Sequence, residues 1–224
     1  MVRPDCHLLV YEFMKNGSLQ EILNDVSQGR RELEWLARHR ISRGIASGLE
    51  YLYMYHRPRI IHRDIKPGNV LIDDDMEDRI SDFGLAKVLY CLMVIHKSEL
   101  RILILVLQSF GVLLAVLVMG KLPSDDFFQH TEEMSFVKWM RNVMNSANPN
   151  RAIDSKLLGN GYEEQMLLVL KIAYFCTLDD PKQRPNSRDV RYMFVSDSAL
   201  IKDLDFFKMY KSITTSLVMN NLCS

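Results

Sequence analysis

From Cys6 to Phe13 the chain reads CHLLVYEF, a nearly unbroken apolar run that predicts a buried strand. Lys15-Asn16-Gly17-Ser18 marks a turn, and Ser18 is placed to cap a helix through Leu19, Ile22 and Leu23. Apolar residues then recur at helical spacing from Trp35 to Tyr55, at Leu36, Ile41, Ile45, Leu49 and Leu52, until Pro58 stops the pattern. Between Ile60 and Lys87 the period shortens. IIHRD, NVLID and RISDF predict short strands and loops, with Asp73-Asp74-Asp75 as a turn. After Gly84 the chain is almost continuously apolar up to Met119. SFVKWMRNVM and EEQMLLVLKIAYFCTL predict two amphipathic helices joined by a loop holding Pro149 and Gly161. A last short helix is predicted after Pro185-Asn186-Ser187, and residues beyond about Val195 carry no clear period.

Ile102 to Met119 is the stretch on which the class of the protein turns. Its 18 residues are interrupted only by Gln108, Ser109 and Gly111. At ~1.5 Å per residue a helix there would reach about 27 Å, enough for a hydrocarbon core. Arg101 and Lys121 flank it on opposite sides, so charge gives little orientation. The alternative is a helix apolar all round because other helices surround it.

Composition narrows the field. Hydrophobic residues at 48% and charged residues at 25% predict a folded globular chain, and 224 residues suit one domain or most of a larger one. With 28 basic against 28 acidic residues and no basic stripe, nucleic acid is excluded as the expected partner. Cys6, Cys91, Cys176 and Cys223 are widely spaced, with no CxxC pair, which predicts reduced, mostly buried thiols in a cytosolic setting. The apolar run in MVRPDCHLLVYEF is too short for a secretory signal.

The chemistry lies in HRDIKPGN, His62 to Asn69, followed by SDFG, Ser81 to Gly84. Phosphoryl transfer needs a carboxylate to orient the attacking hydroxyl, a cation to offset charge on the moving phosphate, and oxygen ligands for magnesium. Asp64, Lys66, Asn69 and Asp82 are residues of these types. Asp64 and Asn69 share one loop, so one backbone turn can aim both at one point, and Asp82 returns on the next hairpin. In this order and spacing, with VLID between, the set resembles eukaryotic-type protein kinases. GLAK after SDF, GKLPSDDFFQH and TLDDPKQRPNSRDV extend the likeness to plant leucine-rich-repeat receptor-like kinases. It covers roughly residues 3 to 87 and 109 to 194.

That resemblance implies an α+β, protein-kinase-like fold, mainly the helical C-lobe. Residues 1–14 would be an N-lobe strand and hinge, 15–194 the C-lobe with an atypical segment at 88–108, and 195–224 a tail of unknown structure. It implies ATP and Mg2+ as cofactors, with Asp64 the catalytic base, Lys66 the phosphate clamp, and Asn69 and Asp82 the metal ligands. LVYEFMKNGSL would be the hinge: the backbone of Glu12 and Met14 would hydrogen-bond adenine, Tyr11 would guard the pocket behind, and Leu71 would form its floor. The implied partners are a protein substrate and other receptor-like proteins, and the implied place is the cytoplasmic side of the plasma membrane. SFGVLLAVLVMGKLP resembles the most buried helix of the C-lobe, which favours burial of Ile102–Met119 over a membrane span.

Departures from the family pattern qualify those expectations. No glycine-rich loop or VAIK-type lysine precedes the hinge, so the resemblance implies a shortened chain with a reduced nucleotide site. Between Lys87 and Ser109, VLYCLMVIHKSELRILILVLQ stands where an activation segment is expected. It offers Arg63 no phosphate donor. Arg184, whose family partner is a glutamate, is expected either to lie buried and unpaired or to turn outward. Val106 stands where an aspartate would pin the catalytic loop. These losses favour a second reading as a non-catalytic interaction fragment, docking a partner around Trp139 and Met166–Phe175. A third is a single-pass membrane polypeptide.

Overall fold

The computed structural model describes residues 10–90 and 97–195. Two small antiparallel sheets sit beside a bundle of helices. Helix α1, Leu19–Ser27, starts in a full capping box: Glu21 N donates to Ser18 Oγ at 3.3 Å, and Ser18 N donates to Glu21 Oε2 at 2.7 Å. Helix α2, Trp35–Glu50, continues through a π-helical turn, Tyr51–Tyr55, and ends before the cis Arg57–Pro58 bond. Strand β1, Arg59–Ile61, pairs with β4, Lys87–Leu89, and β2, Val70–Ile72, pairs with β3, Asp78–Ile80. The rest is helical: α3 Lys97–Met119, α4 Asp126–Gln129, α5 Phe136–Met144, α6 Glu163–Cys176 and α7 Ser187–Val195.

Three details bear on the pattern reading. Residues 6–9 of the predicted first strand lie outside the described residues, and among the described residues Val10–Phe13 pair with no strand. Val10 is 92% exposed and Phe13 86%. Leu36, read as part of the helical apolar pattern, is exposed, because the buried face of α2 runs through Trp35, Arg38, Ile41, Ser42, Ile45 and Leu49. Cys176 is a buried free thiol, as expected, whereas Cys6, Cys91 and Cys223 lie outside the described residues.

Helix α3 is the core of the molecule. Of its Ile102–Met119 stretch, 67% is buried within the protein, and among the described residues no other helix is long and apolar enough to cross a membrane. Gly111 lets α3 pack against α6 at backbone distance: a Cβ there would meet Cys176 Cβ at 2.6 Å and the Ala173 carbonyl oxygen at 3.1 Å. The C-terminal turn is tied to the rest of the chain. Arg38 donates from Nη1 to Leu117 O at 2.9 Å, Asp154 N donates to Val118 O at 3.0 Å, and Gly120 takes a left-handed φ of 63°. In a bilayer these last carbonyls would have no such partners.

Arg184 follows neither expected course. Its Nε donates to Leu178 O at 2.7 Å and its Nη1 to Gln108 Oε1 at 2.9 Å. A neutral amide on the lengthened α3 thus takes the place expected of a carboxylate. Burial holds the Arg184 guanidinium below its ordinary pKa, with Arg141 adding repulsion.

Strand β3 meets α2 at an acidic side chain. The Asp78 carboxylate lies against Gly44, where a Cβ would fall 1.6 Å from Asp78 Oδ1. Desolvation there pushes the Asp78 carboxyl up to about 6, with Glu77 and Asp73 adding repulsion and Arg79 opposing them. The folded chain therefore holds this proton more tightly than the unfolded chain, whose aspartate titrates near ~3.9. Stability from this group is greatest at low pH and is lost as pH rises from about 4 through about 6. Asp78→Asn is expected to remove that slope and to stabilise the protein at pH 7 by about 2 kcal/mol, after discounting for partial exposure. Urea midpoints of both proteins at pH 4.5 and pH 7 check it; parallel losses in the two would refute it.

Candidate active site

The loop between β1 and β2 is built around His62. This ring is buried and packs edge-on against Phe83 at 4.8 Å. Its Nδ1 accepts from Asp64 N at 3.3 Å, which leaves Nε2 to donate to Ser81 O at 2.8 Å. One neutral tautomer therefore bridges the loop to the segment after β3. Ser81 completes the link, donating from N (2.9 Å) and Oγ (3.1 Å) to Asn69 O. The bridging roles of His62 and Ser81 were not foreseen. Their only signal in the sequence is that each borders a chemically loaded residue.

On this frame three of the predicted residues meet. Lys66 Nζ donates to Asp64 Oδ2 at 2.6 Å, and Asn69 Nδ2 donates to Asp64 O and to Oδ2, both at 2.9 Å. The Lys66 bond is the largest influence holding the Asp64 carboxyl below the usual carboxylate range, with Asn69 assisting. Asp64 is consequently an ionised acceptor at neutral pH. Asn69 spends its amide nitrogen on Asp64, which fixes its orientation and leaves Oδ1 as a free hard-oxygen end. Asp82 follows Ser81 directly, is exposed, and accepts from Gly84 N through Oδ1 at 3.3 Å.

Arg63 and Asp82 both take left-handed backbone angles, φ 70° and 60°. Such conformations cost non-glycine residues on the order of 1–3 kcal/mol, and surrounding contacts must hold them. At Arg63 the contact is an Nε–H donated to Leu85 O. Val106 is buried, and the loop is fastened instead through His62, Asn69 and Ser81.

The predicted nucleotide-base residues stand apart. Tyr11 and Glu12 are exposed, and Met14 is half-buried, its carbonyl accepting from Gly17 N at 3.0 Å in a turn. That turn docks on β2: Ile72 N donates to Gly17 O at 2.9 Å, and Ser18 bridges to Leu71. Leu71 is thereby fixed beside that turn. Among the described residues no hydrogen bond joins Tyr11, Glu12 or Met14 to the Asp64 cluster.

The donor set suits magnesium. Asn69 Oδ1 and the Asp82 carboxylate are hard oxygens, the kind Mg2+ takes when phosphates and water complete its shell. Among the described residues no group of three or more His, Cys, Asp or Glu could hold a metal by itself. A two-oxygen protein contribution therefore fits an ion carried with a phosphorylated ligand.

Comparison with known proteins bears on the fold. A family model described as "Protein kinase domain" matches residues 1–93. Among solved structures, the pseudokinase domain of BIR2, an immune regulator of the RLK/Pelle family, superposes with a TM-score of 0.70 at 28% identity, over 83% of this chain and 58% of that one. The chain has the protein-kinase fold.

The kinase fold here has plant relatives. The leucine-rich repeat receptor-like serine/threonine/tyrosine-protein kinase SOBIR1 of Arabidopsis thaliana is 60% identical, over 85% of this chain and 32% of that protein. The inactive leucine-rich repeat receptor-like protein kinase CORYNE, also from Arabidopsis thaliana, is 34% identical, over 83% of this chain and 49% of its own length. The chain thus spans about a third to a half of these curated relatives.

Proposed function

We propose that this chain is the catalytic-loop and helical-lobe part of a receptor-like kinase that transfers phosphate from ATP to serine or threonine hydroxyls of a protein. The finer likeness, to the leucine-rich-repeat receptor-like kinase EVERSHED, rests on IIHRDIKPGNVLIDDDME and PKQRPNSRDVR. The observation that carries the reading is the Asp64–Lys66–Asn69 cluster, with Asp82 fastened beside it through Ser81. Residues 1–14 would contribute the hinge, 15–194 the lobe and 195–224 a tail. As an ionised acceptor, Asp64 would orient the substrate hydroxyl and take its proton. Lys66 would move from Asp64 to the transferred phosphoryl oxygens. Asn69 Oδ1 and Asp82 would hold Mg2+, which when bound offsets phosphate charge. Glu12, Met14, Tyr11 and Leu71 would line the adenine end. By likeness to its relatives, the lobe would work at the cytoplasmic side of the plasma membrane beside other receptor-like proteins.

Phosphate transfer from radiolabelled ATP to a generic protein substrate tests this directly. Asp64→Asn, nearly isosteric, is expected to lower the rate by about 10²–10⁴-fold, the range for loss of a positioned general base. Equal, negligible incorporation by both proteins would remove the catalytic reading.

A second reading, a non-catalytic interaction module, has support in the likeness to the BIR2 pseudokinase domain and to inactive CORYNE. It does not use the helical stripes named for docking. Trp139, Met166, Val169, Leu170, Ile172, Ala173 and Phe175 are all buried in the core, so a partner would have to bind elsewhere.

A further inference from the structure

Away from the catalytic loop, a half-open cavity of about 450 Å³ lies between the C-terminal ends of α1 and α3, helix α5 and the 149–157 segment. Its volume falls within the ~300–1,000 Å³ range of small-molecule sites. Phe127 and Trp139 give it an aromatic wall, their rings 5.2 Å apart and nearly perpendicular. Met119, Ala152 and Ile153 add apolar surface.

The charges lining it are not balanced in use. Both carboxylates are already committed: Asp154 to Arg38 Nη2 at 3.0 Å and Lys156 N at 3.1 Å, Asp125 to Leu122 N at 2.8 Å. Of the cations, Lys156 donates to Val26 O at 2.6 Å. Lys121 only overlies the Phe127 ring, at 4.6 Å. Arg151 is exposed and lies near enough to Glu133 to help hold that carboxyl below its ordinary range, but among the described residues neither Arg151 nor Lys121 makes a hydrogen bond or ion pair. Two cations that make no hydrogen bond or ion pair among the described residues thus stand at an aromatic cavity whose two carboxylates already accept bonds from the protein. That combination selects a flat apolar body bearing one negative group, since a charge-assisted bond at the rim adds to ring contact within.

We infer that this cavity is a binding site for a small aromatic organic anion, a carboxylate or sulfonate. None of its residues belongs to the Asp64 cluster, so the site stands or falls independently of phosphoryl transfer.

Calorimetric titration of the full 224-residue chain with naphthalene-2-sulfonate tests this, with the neutral 2-naphthalenemethanol as control. Saturable one-to-one binding of the sulfonate is expected, with quenching of tryptophan fluorescence from Trp139. Arg151→Gln should weaken it about tenfold, the scale of one hydrogen bond to a charged group. Lys121→Gln should act similarly. Circular dichroism melts of both variants should match the parent, because neither side chain holds the fold; if Lys121→Gln alters the melt, Arg151→Gln alone decides. Failure of the sulfonate to bind, equal binding of the neutral compound, or unchanged affinity in Arg151→Gln would overturn the assignment.

Discussion

Arg38→Met is expected to destabilise the protein by about 3–5 kcal/mol, the range for removing one partner of a buried ion pair. For a chain of this length that lowers the melting temperature by roughly 6–20 °C. Arg38 is 1% exposed and spends its guanidinium on three acceptors from three parts of the chain. Nε reaches Leu33 O at 2.9 Å, Nη1 reaches Leu117 O at 2.9 Å, and Nη2 reaches Asp154 Oδ2 at 3.0 Å. Burial depresses the guanidinium pKa and Asp154 raises it, yet arginine stays charged at any ordinary pH. Methionine matches the length of the stem and donates nothing. It would leave a nearly buried carboxylate without its counter-charge and two carbonyls without the guanidinium donor at once. Arg38→Lys should fall between the two, because one ammonium cannot span the fork. Thermal melts followed at 222 nm check the series. The result also separates core from membrane span: if α3 crossed a bilayer, Arg38 could not hold Leu117 O, and its loss would barely move the melt.

The second large effect is expected at Gly111. Alanine there gains up to ~1 kcal/mol of helix propensity. Against that, its Cβ would press on Cys176 Cβ and on the backbone oxygen of Ala173, neither of which can swing aside like the tip of a side chain. Overpacking of this kind costs about 1–3 kcal/mol, so Gly111→Ala should be less stable than the parent and Gly111→Val markedly less. Cys176→Ala should not rescue either variant, because the obstructing atom is the Cβ that alanine keeps. A urea midpoint for Gly111→Ala at or above that of the parent would show that α3 and α6 do not meet as described.

These two residues illustrate which parts of the molecule could be read from its sequence. Gly111 was visible only as an interruption in an apolar run, and Arg38 as a polar residue within a helical pattern. Nothing local marks either as indispensable. The α1 start was legible because a capping box closes within four residues, and Leu19, Ile22 and Leu23 lie on one face. The cluster of Asp64, Lys66 and Asn69 was legible for the same reason: all three sit on one short loop. Asp82 was legible by motif, but its placement depends on Ser81 bonding back to Asn69 across twelve residues. The first predicted strand is the opposite case, because a strand is defined by its neighbours: residues 6–9 lie outside the described residues, and among those described Val10–Phe13 have no strand partner.

The sequence by itself determined most of the helices, the short strands of the 59–80 region and the clustered motif residues Asp64, Lys66 and Asn69, since each depends on spacings of a few residues. Only the tertiary structure decided that Ile102–Met119 is a core helix, that Arg184 is satisfied by Gln108, and that the α6 stripe is interior. The physical reason is common to all three. An apolar surface or a buried cation takes its meaning from what covers it, and those covering groups come from distant parts of the chain.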